Sequence, residues 1–351
     1  GDDLLTAGLG AAGLQNALPP EVADPGDPAQ LRRLAIFSNY RALVDTSTAG
    51  GYGTLYGPTV APPAQAGPDG QIYGWEYLTY AGGHGAGDRV TMMVQVPDFF
   101  GQDGRPACIV TGPSSGSRGI YGAIGTSGEW GLKRGCAVAY TDKGTGNGAH
   151  DLATNTVFDM FGRPTTATAG AQFVATPPAG TAANNRIAVK HAHSQQNPEK
   201  DWGKFTLQAV KFAFFALNEE LAPKVNNAAT VKFTPDNTLV IASSVSNGGG
   251  AALAAAELDT EGLIDGVAVG EPQIQPDGSG GAVVKFGATT VSNGGKSLMD
   301  YTAQAMLLAE ELDVELARVR FEHAPADDKL FVNPILGFQV TGGSTSVRAF
   351  F

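Results

Sequence analysis

The residue best placed for covalent chemistry is Ser246, within Leu239-Val240-Ile241-Ala242-Ser243-Ser244-Val245-Ser246-Asn247-Gly248-Gly249-Gly250. An apolar strand here runs into a cluster of small residues and then into an Ala-rich helix. That is a variant of the Gly-x-Ser-x-Gly nucleophile elbow, with Ser244 in place of the first glycine. The elbow needs small side chains two positions to either side of the nucleophile, and Ser244 and Gly248 meet that need. The turn lifts the Ser246 hydroxyl above the sheet at a helix N-terminus, where the helix dipole and unpaired N–H groups favour a developing negative charge. The chemistry this suits is acyl transfer: the hydroxyl attacks an ester carbonyl and the Asn247 N–H holds the oxyanion. The competing reading is a Ser/Gly-rich loop that only caps the following helix; the strand and helix on either side favour the elbow.

A second oxyanion donor normally comes from the loop after an earlier strand. Thr111-Gly112-Pro113-Ser114-Ser115-Gly116-Ser117-Arg118-Gly119 follows the strand ending at Val110, and Ser115 or Gly116 is placed to offer a backbone N–H. A plain Gly/Ser turn is the rival; a phosphate cradle is not, because the loop lacks the Gly-Lys-Ser/Thr ending of a P-loop. The base is harder to find. A triad on this type of sheet runs Ser, then Asp or Glu, then His, and the only histidine after Ser246 is His323, with Asp300 or Asp313 as acid. His191 and His193 share one side of an extended segment, where a structural role or a pocket wall outweighs a metal site, so no metal is expected. His84 and His150 lie in Gly-rich loops without a motif. Asp142 and Lys143 end a strand and read equally well as a buried ion pair. The sequence thus presents a nucleophile without an evident base, and weak or absent esterase activity is expected of this chain alone.

The elements that must hold these residues follow from periodicity. A helix is expected from Asp27 to about Val44, with Pro28 in its first turn and Leu31, Leu34, Ile36 and Leu43 apolar. Arg89–Val96 alternates as a strand. Ala107–Val110 and Cys136–Tyr140 are short apolar runs suited to a parallel sheet covered on both faces, with a crossover helix between Gly119 and Lys133. A helix over Lys204–Leu221 carries Leu207, Val210, Phe214, Phe215 and Leu217. The strand Thr238–Ala242, the helix Ala251–Leu258 and the strand Gly262–Val269 complete the pattern. Strand and helix in alternation indicate an α/β fold with right-handed parallel crossovers. The expected class is an α/β-hydrolase-like, mostly parallel sheet with helices on both faces, incomplete after the nucleophile strand. Residues 1–88 read as an N-terminal arm, a helix and Gly/Pro loops; 89–300 as the core, with a weakly patterned excursion at about 144–200; and 301–351 as a separate segment. Gly8–Gly13 matches a dinucleotide fingerprint in letters only, since no strand precedes it.

Composition bounds the partners. The 351 residues are 42% hydrophobic and 16% charged with 48 glycines, which suits a loop-rich globular chain. A net charge of −11 argues against nucleic acid, and no apolar run approaches the roughly 20 residues that cross a bilayer. The N-terminus has no basic and apolar leader, so no signal peptide is read there. The two cysteines, Cys108 and Cys136, are expected as buried thiols, with a disulfide between them the alternative. A sheet ending near the nucleophile strand would leave an unpaired edge and invite association.

Five stretches carry a resemblance: DDLLTAGL (2–9), NYRALVDTSTAGGYGTLYG (39–57), SSGSRGIYGAIGTSGEWGLKRGCAVAYTDKGTG (114–146), KHAHSQQNPEKDW (190–202) and ASSVSNGGG (242–250). Over roughly residues 1–300 the chain resembles the D-3-hydroxybutyrate oligomer hydrolases. The resemblance implies a secreted serine esterase that cuts short oligomers, left by polyhydroxybutyrate depolymerases, into monomers. It also implies Ser246 as nucleophile, an Asp and a His from a C-terminal half not present in this chain, a small-molecule ester as substrate and no cofactor. Residues 305–351 instead resemble a segment of the molybdenum-binding subunit of isoquinoline oxidoreductase-type hydroxylases. The matching glutamate of that subunit is absent, so no molybdenum chemistry is expected. The reading is a truncated or chimeric ester hydrolase; the alternative is a catalytically silent binding module or inactive fragment on the same scaffold.

Overall fold

In the computed structural model of the chain, the described residues are 2–61, 66–81, 89–102, 104–116, 118–142, 148–190, 198–274, 284–286, 288–291, 319–323, 330–332, 339–341 and 345–349. They fall into two compact units, Gly1–Gln273 and Ile274–Phe351.

The first unit is a mixed α/β layer structure on one seven-stranded sheet. Its strands are β1 (Asp2–Asp3), β2 (Tyr73–Ala81), β3 (Val90–Pro97), β4 (Ala107–Pro113), β5 (Ala137–Thr141), β6 (Thr238–Val245) and β7 (Gly266–Gly270), in the spatial order β1-β2-β3-β5-β4-β6-β7. β5, β4, β6 and β7 run parallel, while β1, β2 and β3 pair antiparallel at the other end. Side chains alternate across the pleat. Met93, Cys108, Val110, Val138 and Tyr140 enter one core with Leu14 of α1 (Gly10–Gln15), α2 (Pro28–Leu43) and Leu132 of α3 (Glu129–Lys133). Val94, Ile109, Ala137, Ala139 and Val240 enter the other, beneath α4 (Trp202–Leu221).

Several expectations hold in substance and differ in detail. Helix α2 begins one residue after Asp27, whose carboxylate accepts from the Ala29 N–H at 2.9 Å as its N-cap. Its buried face is Ile36, Phe37 and Tyr40, whereas Leu43 is exposed. On α4 the face is set by small residues, Ala209, Ala213 and Ala216 beside Phe205, Val210 and Leu217, and Phe215 points to solvent. The small face lets the helix lie close to its neighbour: a Cβ on Gly203 would fall 2.7 Å from the Ala254 carbonyl carbon of α5 (Ser246–Leu258). The crossover after Gly119 opens with a wide π-helical turn over Ile124–Gly128 before α3.

Four expectations are corrected. The N-terminal stretch expected as an arm ahead of α2 is packed into the fold: Leu4, Leu5 and Leu14 are fully buried and β1 adds to the sheet. Asp3 organises this turn, accepting from the N–H groups of Leu5, Thr6, Gly8 and Ile72. The strand β2 lies in a region expected as Gly/Pro loop. The cysteines are not free thiols but a disulfide, Cys108–Cys136. Parallel register sets Ile109 beside Ala137, so the preceding residues are neighbours, with Cα atoms 4.7 Å apart. Finally, the unpaired edge does not fall at the candidate nucleophile strand: the strand expected after it is present as β7 and pairs with β6 from Ile241↔Gly266 to Val245↔Gly270.

The excursion after β5 forms a small antiparallel sheet of Pro164–Thr165, Thr156–Phe158, Ala149–Asp151 and Ile187–Val189. In the second unit, Leu330–Val332, Gln339–Thr341, Val319–His323 and Thr345–Ala349 make a four-stranded sheet, and Val284–Phe286 pairs with Thr289–Val291. No helix of the described residues is long and apolar enough to cross a membrane.

Candidate functional site

The strand order creates a crevice. From β4 the chain passes through α3 on one face to β5; it then returns through α4 on the other face to β6, on the far side of β4. Adjacent strands β4 and β6 therefore send their following segments to opposite faces, and an open α/β sheet binds ligands at the carboxyl ends of such a strand pair. The two segments that leave there are Ser114–Gly119 and the turn at Ser246.

Ser246 is the hinge between β6 and α5. Val245 is still extended at φ −127°, whereas Ser246 has φ +55°, a left-handed conformation that non-glycine residues rarely hold. Its side chain is exposed, and its hydroxyl has no hydrogen-bond partner among the described residues. The turn is tight enough to require a glycine two residues on. A Cβ on Gly248 would sit 2.2 Å from the Pro113 carbonyl oxygen and 2.3 Å from Ser244 Oγ. Ser244, standing where the pattern has glycine, uses its hydroxyl: Oγ donates to the Pro113 carbonyl at 2.7 Å. Nearby, Thr111 Oγ1 donates to Ser243 O at 3.0 Å and accepts from the Ser243 N–H at 2.9 Å. These bonds take over where β4–β6 backbone pairing ends at Ile241↔Val110, and they fix the two segments to each other.

Gly116 and Asn247 are neighbours across the crevice. Gly116 has φ +83°, and a Cβ built on it would lie 3.8 Å from Asn247 Oδ1 and 3.8 Å from Arg118 Nε. The N–H groups of Ser115 and Gly116 donate to no described residue, and the Asn247 N–H, in the first turn of α5, has no intrahelical acceptor. The loop is braced from inside. Ser114 Oγ donates to the Gly116 carbonyl at 2.8 Å, and Arg118 Nε donates to the Ser115 carbonyl at 2.6 Å. Burial holds the Arg118 guanidinium below its ordinary pKa.

The histidines are less helpful. His150 lies on the strand Ala149–Asp151 and is buried with both ring nitrogens used: Nδ1 accepts from the Ala175 N–H at 3.2 Å and Nε2 meets Asn155 Oδ1 at 3.0 Å. It is structural. Asp142 is likewise tied to the sheet, accepting from the Thr91 N–H at 3.1 Å. His84, Lys143, His191, His193, Asp300 and Asp313 lie outside the described residues, and so does the side chain of His323, whose backbone pairs with Thr345 in the second unit.

Three residues at this edge escaped the sequence reading. Thr111 and Arg118 stood inside a loop read only for its N–H groups. Glu271 directly follows β7, whose pairing with β6 ends at Val245↔Gly270. It too is a non-glycine residue with positive φ, +45°. The Gln273 N–H, two residues on, donates to the Ser246 carbonyl at 2.9 Å. A cleft of 990 Å³ lies elsewhere, lined by Arg32, Tyr73, Trp75, Glu76, Tyr121 and Phe161 among others, and includes none of Ser115, Gly116, Ser246 or Asn247.

Comparison with known proteins adds the family. The family model of 3HB-oligomer hydrolase matches residues 1–322, so the match runs past the boundary near 300 and takes in residues 305–322. A D-(-)-3-hydroxybutyrate oligomer hydrolase of Polaromonas sp. (strain JS666 / ATCC BAA-500) is 58% identical over 88% of this chain and 45% of its own length. One of Polaromonas naphthalenivorans (strain CJ2) is 57% identical over 88% of this chain and 45% of its own. One of Ralstonia pickettii is 56% identical over 87% and 42%. The chain thus spans about half the length of the curated relatives it matches. Among solved structures, a hypothetical protein from Pseudomonas aeruginosa aligns with a TM-score of 0.30 and 14% identity over 72% of this chain and 60% of its own, too slight a likeness to bear on the fold.

Proposed function

The chain belongs to the 3HB-oligomer hydrolase family, and on that footing we propose that it is the nucleophile-bearing part of an α/β-hydrolase that cleaves short 3-hydroxybutyrate esters. Ser246 Oγ attacks the ester carbonyl, and the N–H groups of Asn247 and of Ser115 or Gly116 receive the oxyanion. The Oγ–acyl bond forms as the ester C–O bond breaks. The serine proton passes through a histidine to the leaving alkoxide, and water then releases the acid and restores Ser246. No cofactor enters these steps.

The observation that carries this reading is the Ser246 backbone: φ +55° at the carboxyl end of a strand flanked by parallel partners, with the next helix starting at the same residue. A capping loop has no need of that strain, whereas a nucleophile lifted clear of its sheet does. The loop after β4 supports the hydrolase-type reading as well, since the N–H groups of Ser115 and Gly116 donate to no described residue and Gly116 lies next to Asn247. The disulfide Cys108–Cys136 favours an oxidising compartment and so the secreted location that the family resemblance implies. Among the described residues none offers the base: His150 is engaged at both nitrogens, so the reading requires an imidazole brought to Ser246 from elsewhere, and the silent module is the alternative without one.

Labelling with a fluorophosphonate, read by intact mass, tests the assignment. One adduct on this chain and none on Ser246→Ala is the expected result. No adduct on a folded sample would sink the enzymatic reading of this chain and leave the silent module.

A further inference from the structure

Among the described residues Arg118 is an arginine without an acid. Ion pairs among the described residues are Arg32–Glu76, Lys133–Glu129, Arg163–Asp159 and Lys211–Glu261, and Arg118 is in none of them. Its protein contacts are neutral carbonyls: Ser115 O, reached by Nε and Nη2, and Gly122 O, reached by Nη2 at 3.2 Å. Nη1 donates to no described residue, so among the described residues at least two of the five N–H donors of the fork are unused. A half-buried guanidinium is expensive to leave uncompensated, and here no carboxylate among the described residues offsets the burial that lowers its pKa. In a chain with 34 acidic and 23 basic residues, carboxylates are not scarce. The pairing partner is missing at the place where a ligand would supply one: Arg118 Nε and Asn247 Oδ1 both lie 3.8 Å from the Cβ position of Gly116, on the rim of the crevice beside Ser246.

Given the proposed reaction, on which this inference rests, the substrate has what Arg118 lacks. A linear oligomer of a hydroxy acid carries one hydroxyl end and one free carboxylate end, and it is an anion approaching a protein of net charge −11. We propose that Arg118 receives the terminal carboxylate of the oligomer, which makes it a specificity residue and orients the chain. With the acid end anchored at the rim, the ester nearest that end lies over Ser246. Attack there makes the carboxyl-terminal monomer the leaving group: its C–O bond breaks, its alkoxide takes the proton, and the remaining acyl chain stays on Ser246. The enzyme then shortens oligomers one unit at a time from the acid end.

Binding tests this without any need for turnover. On Ser246→Ala protein, the 3-hydroxybutyrate trimer as free acid is compared by calorimetry with its carboxyl methyl ester. The free acid is expected to bind about 10–100-fold more tightly, the range of a charge-assisted hydrogen bond. The preference should weaken with salt and vanish in Ser246→Ala/Arg118→Gln, while Ser246→Ala/Arg118→Lys retains part of it. Thermal melts of each variant report whether the loop and fold survive. Because Arg118 also braces Ser115, the salt dependence on the unsubstituted loop stands as a separate readout. Equal binding of acid and ester, a preference that persists in Arg118→Gln, or binding of neither trimer overturns the assignment. A fluorophosphonate adduct on Ser246 together with any of those results would leave the esterase reading intact and remove only the role of Arg118.

Discussion

A backbone at φ +55° costs a residue with a Cβ about 1 kcal/mol or more relative to glycine. Ser246 bears that cost at the head of α5, and Glu271 bears a similar one beside it at φ +45°. A fold that merely needed a turn at either point would be served better by glycine. Substituting each in turn separates fold from function. Ser246→Gly should be more stable than Ser246→Ala by about 1 kcal/mol, because both lose the hydroxyl and only one loses the strain. Glu271→Gly should be more stable than the parent by a similar amount. Urea titrations followed by fluorescence measure both; a Ser246→Gly protein no more stable than Ser246→Ala would mean that the left-handed turn carries no strain. Nothing in the residue string announces either conformation. The letters around Ser246 suggest an elbow, but the positive φ at Glu271 comes from the way Gly270–Gln273 turns over the first turn of α5, a tertiary matter.

Elements were legible in proportion to how aliphatic and how regular they are. The runs Ala107–Val110 and Cys136–Tyr140 are buried on both sides and could be read directly. The edge-side strand β2, Tyr73–Ala81, escaped because its core-facing positions are mostly aromatic or polar, with Glu76 pairing to Arg32 at 3.0 Å and accepting from Gln95 and Tyr121. Buried positions of that kind depend on partners far away in sequence. The N-terminal Leu4 and Leu5 were hidden by the Gly/Ala/Asp setting that looks like a linker, although the Asp3 carboxylate is what makes the turn. The disulfide was hidden for a third reason: 28 residues of sequence separate the cysteines, and only parallel register through a crossover makes them neighbours. That bond ties β4, which carries the candidate oxyanion loop, to β5. Closing a loop of this length contributes about 3.5 kcal/mol in the chain-entropy account. Reduction, or the double replacement Cys108→Ser/Cys136→Ser, should therefore lower the melting temperature by roughly 7–14 °C for a unit of this size. Calorimetry with and without reductant measures it, and an unchanged transition after confirmed reduction would show that the bond contributes little.

At the scale of the molecule, two opposing forces act on the last strand of the sheet. Among the described residues β7 ends the strand order, and Val267 on it is 43% exposed. An edge of this kind offers unpaired N–H and C=O groups to another chain, and natural edges are usually blunted by a charge, a proline or a bulge. Gly266–Gly270, reading Gly-Val-Ala-Val-Gly, has none of these in its sequence. What opposes pairing is the net charge of −11, which keeps copies apart over a distance set by salt. The screening length falls from about 30 Å at 0.01 M to about 3 Å at 1 M, so repulsion weakens sharply over that range while strand pairing does not. Association of this chain should consequently grow with ionic strength, the reverse of an interface held by ion pairs. Sedimentation velocity at several protein concentrations should give monomer at low salt and a rising average coefficient at high salt. Val267→Lys, which puts a charge on the edge strand without touching Ser246, should suppress the rise. If the wild-type chain stays monomeric at high salt, or if Val267→Lys associates just as readily, the open edge of β7 is not where copies of this chain meet.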